Sequence, residues 1–131
     1  MKHAFNTQVF YSDTDAYGVV WHGSYLRWLE MGRVLLCEQA GYKLSELEKE
    51  DIVLPVAELN IKYKNSARLE DNIVIETDVV DYGKFYITFQ QTIKNEKLDK
   101  VYIEAIVKVV AINKSGKLYR SLPEQVLKIV Q

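Results

Sequence analysis

Two carboxylates and a histidine lie within ten residues of one another near the start of the chain. Asp13 and Asp15 flank Thr14, and His22 follows an apolar run that begins at Val19. A carboxylate can act as a nucleophile or as a general base. Backbone N–H groups at the start of a helix can stabilise the oxyanion that develops on an acyl carbonyl. If a helix begins near His22, this stretch has the parts of a site for acyl chemistry.

Each of these residues also has an ordinary structural interpretation. An Asp in a loop commonly accepts a hydrogen bond from its own turn, and a lone histidine often bonds only locally. His3 and His22 are the only histidines and Cys37 is the only cysteine. The sequence therefore predicts no metal site, no cofactor and no internal disulfide. Cys37 lies among apolar positions, which predicts a buried, unreactive thiol.

A long apolar helix is predicted directly after this stretch. Ser24 is a plausible N-cap and Gly41 a plausible end signal. Between them, apolar residues recur with helical spacing at Tyr25, Trp28, Leu29, Gly32, Leu35 and Leu36. Charged residues form only a narrow stripe, so we expect other elements to wrap the helix. A glycine in the middle of a helix is disfavoured, and close approach of another backbone would explain Gly32.

Beyond Pro55 the hydrophobic period changes from 3.6 residues to 2, which predicts strands. Strands are predicted over 57–64, 73–81, 85–93 and 101–112, with a first strand over 5–11 and a short one over 118–120. Short helices are predicted over 46–51, capped by Ser45, and from Ser121 through Val130. Short loops favour antiparallel neighbours. We therefore predict a single α+β domain over 1–131, with the sheet folded round the long helix.

The composition is that of an ordinary folded protein, with 48% apolar residues, 27% charged residues and a net charge of −1. This charge balance gives no basic footprint for nucleic acid, and no apolar run is long enough to cross a membrane. We expect no signal peptide, and the single cysteine favours a cytoplasmic location. Basic residues would bind a phosphate-bearing ligand only if the fold brought them together; they are Lys62, Lys64, Arg68, Lys84 and Arg120.

The stretch FYSDTDAYGVVWHGSYLRWLE closely resembles the active-site segment of the hotdog-fold acyl-CoA thioesterases, in particular the 4-hydroxybenzoyl-CoA thioesterase/YbgC-like group. The residues that match the family pattern in register are Asp15, Gly18, Val19, Val20, Trp21, His22 and Tyr25. The segment SARLEDNIVIET also resembles the loop before the third strand of that family. The resemblance implies a hotdog fold, in which a curved antiparallel sheet of five to six strands wraps a long central apolar helix.

The resemblance also implies hydrolysis of an acyl-CoA or acyl-carrier-protein thioester. Asp15 would be the catalytic carboxylate, as nucleophile or as base for water. The backbone N–H of His22 would polarise the thioester carbonyl, and its side chain would orient substrate or water. Substrate contacts are expected from Tyr17, Gly18, Trp21, Tyr25 and Arg68. Asp13 matches an acidic position in many relatives, but the resemblance assigns it no definite role.

The resemblance further implies a homodimer or homotetramer with the site at the subunit interface and CoA lying partly across the partner. Two alternatives stay open on the same fold. One is a hydratase or dehydratase, which is disfavoured because Trp21 stands where that pattern has a proline. The other is a non-enzymatic binder of acyl thioesters.

Overall fold

A five-stranded antiparallel sheet curves around one long helix in the computed structural model, which describes residues 2–131. The strands are β1 (Lys2–Gln8), β2 (Val56–Tyr63), β3 (Asn72–Tyr82), β4 (Tyr86–Asn95) and β5 (Val101–Val110). The helices are α1 (His22–Gln39), α2 (Leu44–Lys49) and α3 (Glu124–Val130). The sheet order β1-β3-β4-β5-β2 leaves β1 and β2 at the two edges. The α+β prediction with five to six strands is confirmed.

Alternating side chains of the sheet face α1 and form the core. On β4 the residues in this layer are Ile87, Phe89, Gln91 and Ile93, and on β5 they are Ile103, Ala105, Val107 and Val109. On the helix, Trp28, Leu29 and Leu36 are at most 2% exposed. Each fully buried side chain of this kind contributes about 1.5–3 kcal/mol. The apolar helix is therefore wrapped, as predicted. Among residues 2–131, no helix is both long and apolar enough to span a membrane.

Gly32 lies where α1 makes a close contact with the sheet. A Cβ at this position would lie 2.5 Å from Thr77 Oγ1 and 2.9 Å from Gln91 Nε2. The buried Gln91 amide donates to Leu29 O at 2.9 Å and to Thr77 Oγ1 at 2.8 Å, and its oxygen accepts from Arg33 Nη1 at 2.9 Å. A close approach is present, but the nearest atoms belong to the side chains of Thr77, Gln91 and Ile75, so the prediction of a backbone neighbour is wrong.

Several details of the sequence prediction are wrong. The first strand lies at Lys2–Gln8 rather than 5–11, and α3 begins at Glu124 with Pro123, not Ser121, as its N-cap. Helix α1 begins at His22 with Trp21 as its N-cap, and the Ser24 hydroxyl donates to Asp13 O at 3.0 Å instead of capping the helix. Helix α2 begins at Leu44, and Glu46 accepts from the Lys43 N–H, so Ser45 is not the cap. Residues 118–120 form only an isolated bridge to Ile112, not a strand.

Candidate active site

Residues 13–21 form a small hairpin that leads into the first turn of α1. The Trp21 N–H donates to Asp13 O at 2.8 Å, and the Asp15 N–H donates to Val19 O at 2.9 Å. Gly18 closes the turn with a φ of +79°, a conformation that side chains with a Cβ rarely adopt. The hairpin therefore holds Asp15 a short distance from the start of the helix.

The far side of this hairpin packs against the chain that follows β2. The Val20 N–H donates to Ala67 O at 2.9 Å, and the Ala67 N–H donates to the Tyr25 hydroxyl at 2.9 Å. Tyr25 is 3% exposed, and burial raises the pKa of its hydroxyl. The centroid of its ring lies 5.9 Å from that of the Tyr63 ring, and the two rings pack edge to face. These contacts bring the end of β2 to the start of α1.

The start of α1 presents free backbone donors. Within residues 2–131, no hydrogen bond is found from the backbone N–H of His22 or of Gly23, whereas the Ser24 N–H donates to Trp21 O at 2.9 Å. N–H groups in the first turn of a helix have no intrahelical acceptor, and the helix dipole makes this end positive. The Trp21 ring covers Gly23 so closely that a Cβ there would lie 2.2 Å from it.

Asp15 and His22 line one cavity of about 250 Å³, which we call the Asp15 cavity. Its full lining is Asp15, Val20, His22, Tyr25, Tyr63, Lys64, Asn65 and Ser66. One Asp15 carboxylate oxygen, Oδ1, accepts from the Tyr17 N–H at 2.9 Å, so the turn predicted as the ordinary interpretation is present. Across residues 2–131, Oδ2 accepts no hydrogen bond. The cavity thus brings together Asp15 and His22, the first residue of α1, a combination suited to acyl transfer.

Of the residues predicted to contact substrate, one lines the Asp15 cavity and four do not. Tyr25 lines the Asp15 cavity, whereas Tyr17, Gly18, Trp21 and Arg68 are not part of its lining. Tyr17 is 88% exposed and Trp21 is half exposed, with its ring tilted against that of His22. Contacts of all five residues with a substrate stay a prediction.

The cavity also includes residues that were not predicted as site residues. Tyr63, Lys64, Asn65 and Ser66 come from the end of β2 and the loop after it. Of the basic residues considered from the sequence, Lys64 alone is part of the lining. The Lys64 ammonium lies 3.7 Å from the Glu104 carboxylate, and both side chains are 47% exposed. Its position depends on the sheet order, which the sequence did not indicate.

A second cavity lies at the opposite end of β2. It has a volume of about 290 Å³ and a mainly apolar lining: Glu30, Arg33, Val34, Cys37, Leu44, Leu54, Pro55, Val56, Phe89 and Val109. We call it the Cys37 cavity. Cys37 is 3% exposed, and burial raises the pKa of its thiol to about 11. The prediction of a buried thiol is confirmed, and this cavity shares no lining residue with the Asp15 cavity.

The sequence profile of the thioesterase-like superfamily matches residues 9–130. The chain belongs to this superfamily. YneP of Bacillus subtilis (strain 168) is 35% identical over 88 residues, which are 67% of this chain and 64% of YneP. The acyl-CoA thioester hydrolase YbgC of Escherichia coli O157:H7 is 30% identical over 120 residues, which are 92% of this chain and 89% of YbgC.

Solved structures agree with this family membership. The DHNA-CoA thioesterase from Staphylococcus aureus superposes with a TM-score of 0.85 at 27% identity, over 91% of this chain and 80% of that one. The sheet wrapped round α1 is therefore the hotdog fold that the sequence resemblance predicted. The segment that carries the resemblance is the hairpin and helix start that build the Asp15 cavity.

Proposed function

We propose that the protein is an acyl-CoA thioesterase, which hydrolyses the thioester bond to a free acid and CoA. The observation that carries this proposal is that Asp15 and His22, the first residue of α1, line one cavity. Similarity to proteins named as thioesterases supports the same reaction. Acyl-carrier-protein thioesters belong to the same proposed substrate class. The cytoplasm, where an unpaired cysteine stays reduced, is the proposed location.

The proposed chemistry uses the Asp15 carboxylate and the backbone N–H groups at the start of α1. The Asp15 carboxylate attacks the thioester carbon, or it removes a proton from an attacking water. In both routes the carbonyl oxygen becomes an oxyanion, which the N–H groups of His22 and Gly23 stabilise. The C–S bond then breaks and the CoA thiolate leaves. Direct attack forms an anhydride that water hydrolyses, and a single turnover in isotopically labelled water distinguishes the two routes.

Replacing Asp15 tests the proposal. Asp15→Asn keeps the size of the side chain but removes the nucleophile or base, so we expect thioester hydrolysis to fall by about 10²–10⁴-fold. The assay is thiol release from a panel of acyl-CoAs. Asp78→Asn, on the outer face of β3, is the matched control and should retain the wild-type rate. Unchanged activity of Asp15→Asn on the best substrate would refute the role. Tight CoA binding without turnover of any acyl-CoA would favour the non-enzymatic binder.

A second copy of the chain is proposed to pair with the edge strand β2. The apolar side chains of Val56, Leu59 and Tyr63 are between 43% and 49% exposed along this edge. An exposed apolar edge strand is an unprotected site for pairing with another chain. Sequence resemblance and this surface together support a homodimer.

The charges along β2 suit antiparallel pairing with itself. Pairing centred on Asn60 places Glu58 opposite the partner subunit's Lys62, and the two-fold axis repeats the pair. Leu59→Arg is expected to give monomers by sedimentation velocity. Ile106→Arg is the matched control, because Ile106 is also 43% exposed but lies on β5, one strand in from the edge, where its backbone is already paired on both sides. A dimeric Leu59→Arg protein would exclude this interface.

The same pairing brings the Cys37 cavity of one copy beside the Asp15 cavity of the other. Pro55 and Val56 line the first cavity, whereas Tyr63 and Lys64 line the second. The two ends of β2 are about 23 Å apart, and an antiparallel partner reverses their order. The acyl group of the substrate is proposed to enter the partner's Cys37 cavity, whose apolar lining suits a non-polar acyl chain.

Mixed dimers test this arrangement. Val34→Trp fills the Cys37 cavity, so a homodimer of this variant should hydrolyse acetyl-CoA but not octanoyl-CoA. An Asp15→Asn homodimer should hydrolyse neither. After subunit exchange, a mixed dimer has one site with both defects and one site with none. Octanoyl-CoA hydrolysis should therefore return to about a quarter of the wild-type rate on statistical mixing. No return would show that the two cavities do not serve one site.

A further inference from the structure

The two carboxylates of the Asp13-Thr14-Asp15 stretch have different surroundings. Asp15 lines the cavity, whereas the Asp13 side chain is 4% exposed and is not part of the cavity lining. A buried carboxylate is costly unless it is paired and hydrogen-bonded. The contacts that keep Asp13 buried therefore indicate its role.

The Asp13 side chain connects the turn before the hairpin to the second turn of α1. Its Oδ2 accepts from the Phe10 N–H at 2.9 Å. Its Oδ1 accepts from Arg27 Nη2 at 2.5 Å, a charge-assisted hydrogen bond. Arg27 is 57% exposed, so the carboxylate is the buried member of the pair.

The Asp13 backbone makes a second set of contacts. Its carbonyl oxygen accepts from the Trp21 N–H at 2.8 Å and from the Ser24 hydroxyl at 3.0 Å. Trp21 ends the hairpin and is the N-cap of α1. Both ends of the hairpin that carries Asp15 are thus fixed to the helix through one residue. We call Asp13 with Phe10, Trp21, Ser24 and Arg27 the Asp13 clamp.

We infer that Asp13 is a positioning residue, which holds the Asp15 carboxylate in register with the N–H groups of His22 and Gly23. The inference rests on the proposed function, because it assigns a purpose to the distance between the carboxylate and those donors. The hairpin between Asp13 and Trp21 joins the carboxylate to those donors, and the Asp13 clamp fixes the base of the hairpin to α1. A displacement of about 1 Å in a catalytic geometry costs on the order of 10²-fold in rate.

Kinetics of clamp variants test the inference. Asp13→Asn keeps an acceptor for the Phe10 N–H but loses the charge that pairs with Arg27. We expect kcat to fall by about 10–100-fold while KM changes by less than about threefold, because the substrate contacts are intact. Arg27→Met should have the same effect, and Arg27→Lys should recover part of it. The double variant should be no worse than Asp13→Asn, since both changes break one pair.

A control and a second readout separate positioning from folding. Glu76→Gln breaks a different ion pair, with Lys94 at 2.8 Å on the outer face of the sheet, and should leave kcat unchanged. Hydrogen exchange of the peptide covering 14–22 should be faster in Asp13→Asn, while exchange in β3 and β4 should not change. Hydrogen exchange does not require activity, so it tests whether the Asp13 clamp holds the hairpin even if the wild type hydrolyses no thioester.

Two results would overturn the inference. The first is an unchanged kcat in Asp13→Asn with a lowered melting temperature, which would show a purely structural role. The second is unchanged exchange over 14–22, which would show that the clamp does not hold the hairpin. An inactive wild-type protein with faster exchange in Asp13→Asn would refute the proposed function but not the clamp.

Discussion

Gly32→Ala is the sharpest test of how α1 lies on the sheet. The added Cβ would lie 2.5 Å from Thr77 Oγ1, 2.9 Å from Gln91 Nε2 and 3.1 Å from Ile75 Cγ2. Overpacking of this kind costs about 1–3 kcal/mol, and displacing the Gln91 amide from its partners costs about 1–3 kcal/mol more. The gain in helix propensity offsets about 1 kcal/mol. These terms sum to a net loss of about 1–5 kcal/mol, centred on about 3 kcal/mol.

The measurement is thermal and urea unfolding at one fixed protein concentration, since association contributes to apparent stability. A loss of about 3 kcal/mol lowers the melting temperature of a chain of this size by about 9–13 °C. Glu38→Ala, at an exposed position of the same helix, is the control and should change stability by less than about 0.5 kcal/mol. A Gly32→Ala protein that melts at or above the wild-type temperature would show that the helix can move away from the sheet without cost.

Three further predictions concern single buried or paired groups. Burial raises the pKa of Cys37 to about 11, so its thiolate fraction at pH 8 is about 100-fold below that of an ordinary thiol. A disulfide reagent should therefore label Cys37 in the folded protein more slowly than in the urea-unfolded protein, by at least that factor. The hydrogen bond from Lys94 lowers the pKa of Glu76 below 4.5. Glu76→Gln should therefore remove less than about 1 kcal/mol of stability at this partly exposed site. This difference between the variant and the wild type should vanish as pH falls from 4.5 through the lowered pKa. Tyr25→Phe leaves the Ala67 N–H without its acceptor and should lower the free energy of unfolding in urea by about 1–3 kcal/mol. A Tyr25→Phe variant as stable as the wild type would show that another acceptor replaces this bond.

The features that depend on local pattern were predicted well from the sequence. The alternation of β4 and β5 and the apolar face of α1 follow directly from periods of 2 and 3.6 residues. Gly41, with a φ of +101°, ends the long helix as a C-terminal glycine should. These predictions hold because each depends on neighbours within one or two turns of chain.

The features that depend on distant contacts were missed. Ser24 matched the residue preference of an N-cap, but its hydroxyl donates a hydrogen bond to the carbonyl oxygen of Asp13, eleven residues earlier. Tyr63 and Lys64 have only the pattern of a strand end, and they reach the cavity because β2 occupies the sheet edge beside β5. Sheet order is decided by tertiary packing, which a single sequence does not display.

The order of strands in the sheet has a consequence for the way the chain folds. β3, β4 and β5 follow one another both in the chain and in the sheet, so their pairing needs only short loops to close. β1 and β2 instead pair with strands far along the chain, as the Lys2–Asp78 register shows, and such non-local contacts form slowly. The Asp15 cavity needs the end of β2, which is held in the sheet by such non-local pairing with β5. We therefore expect thioester hydrolysis to return after the β-sheet circular dichroism signal during refolding, which makes catalytic competence the last property that the chain acquires.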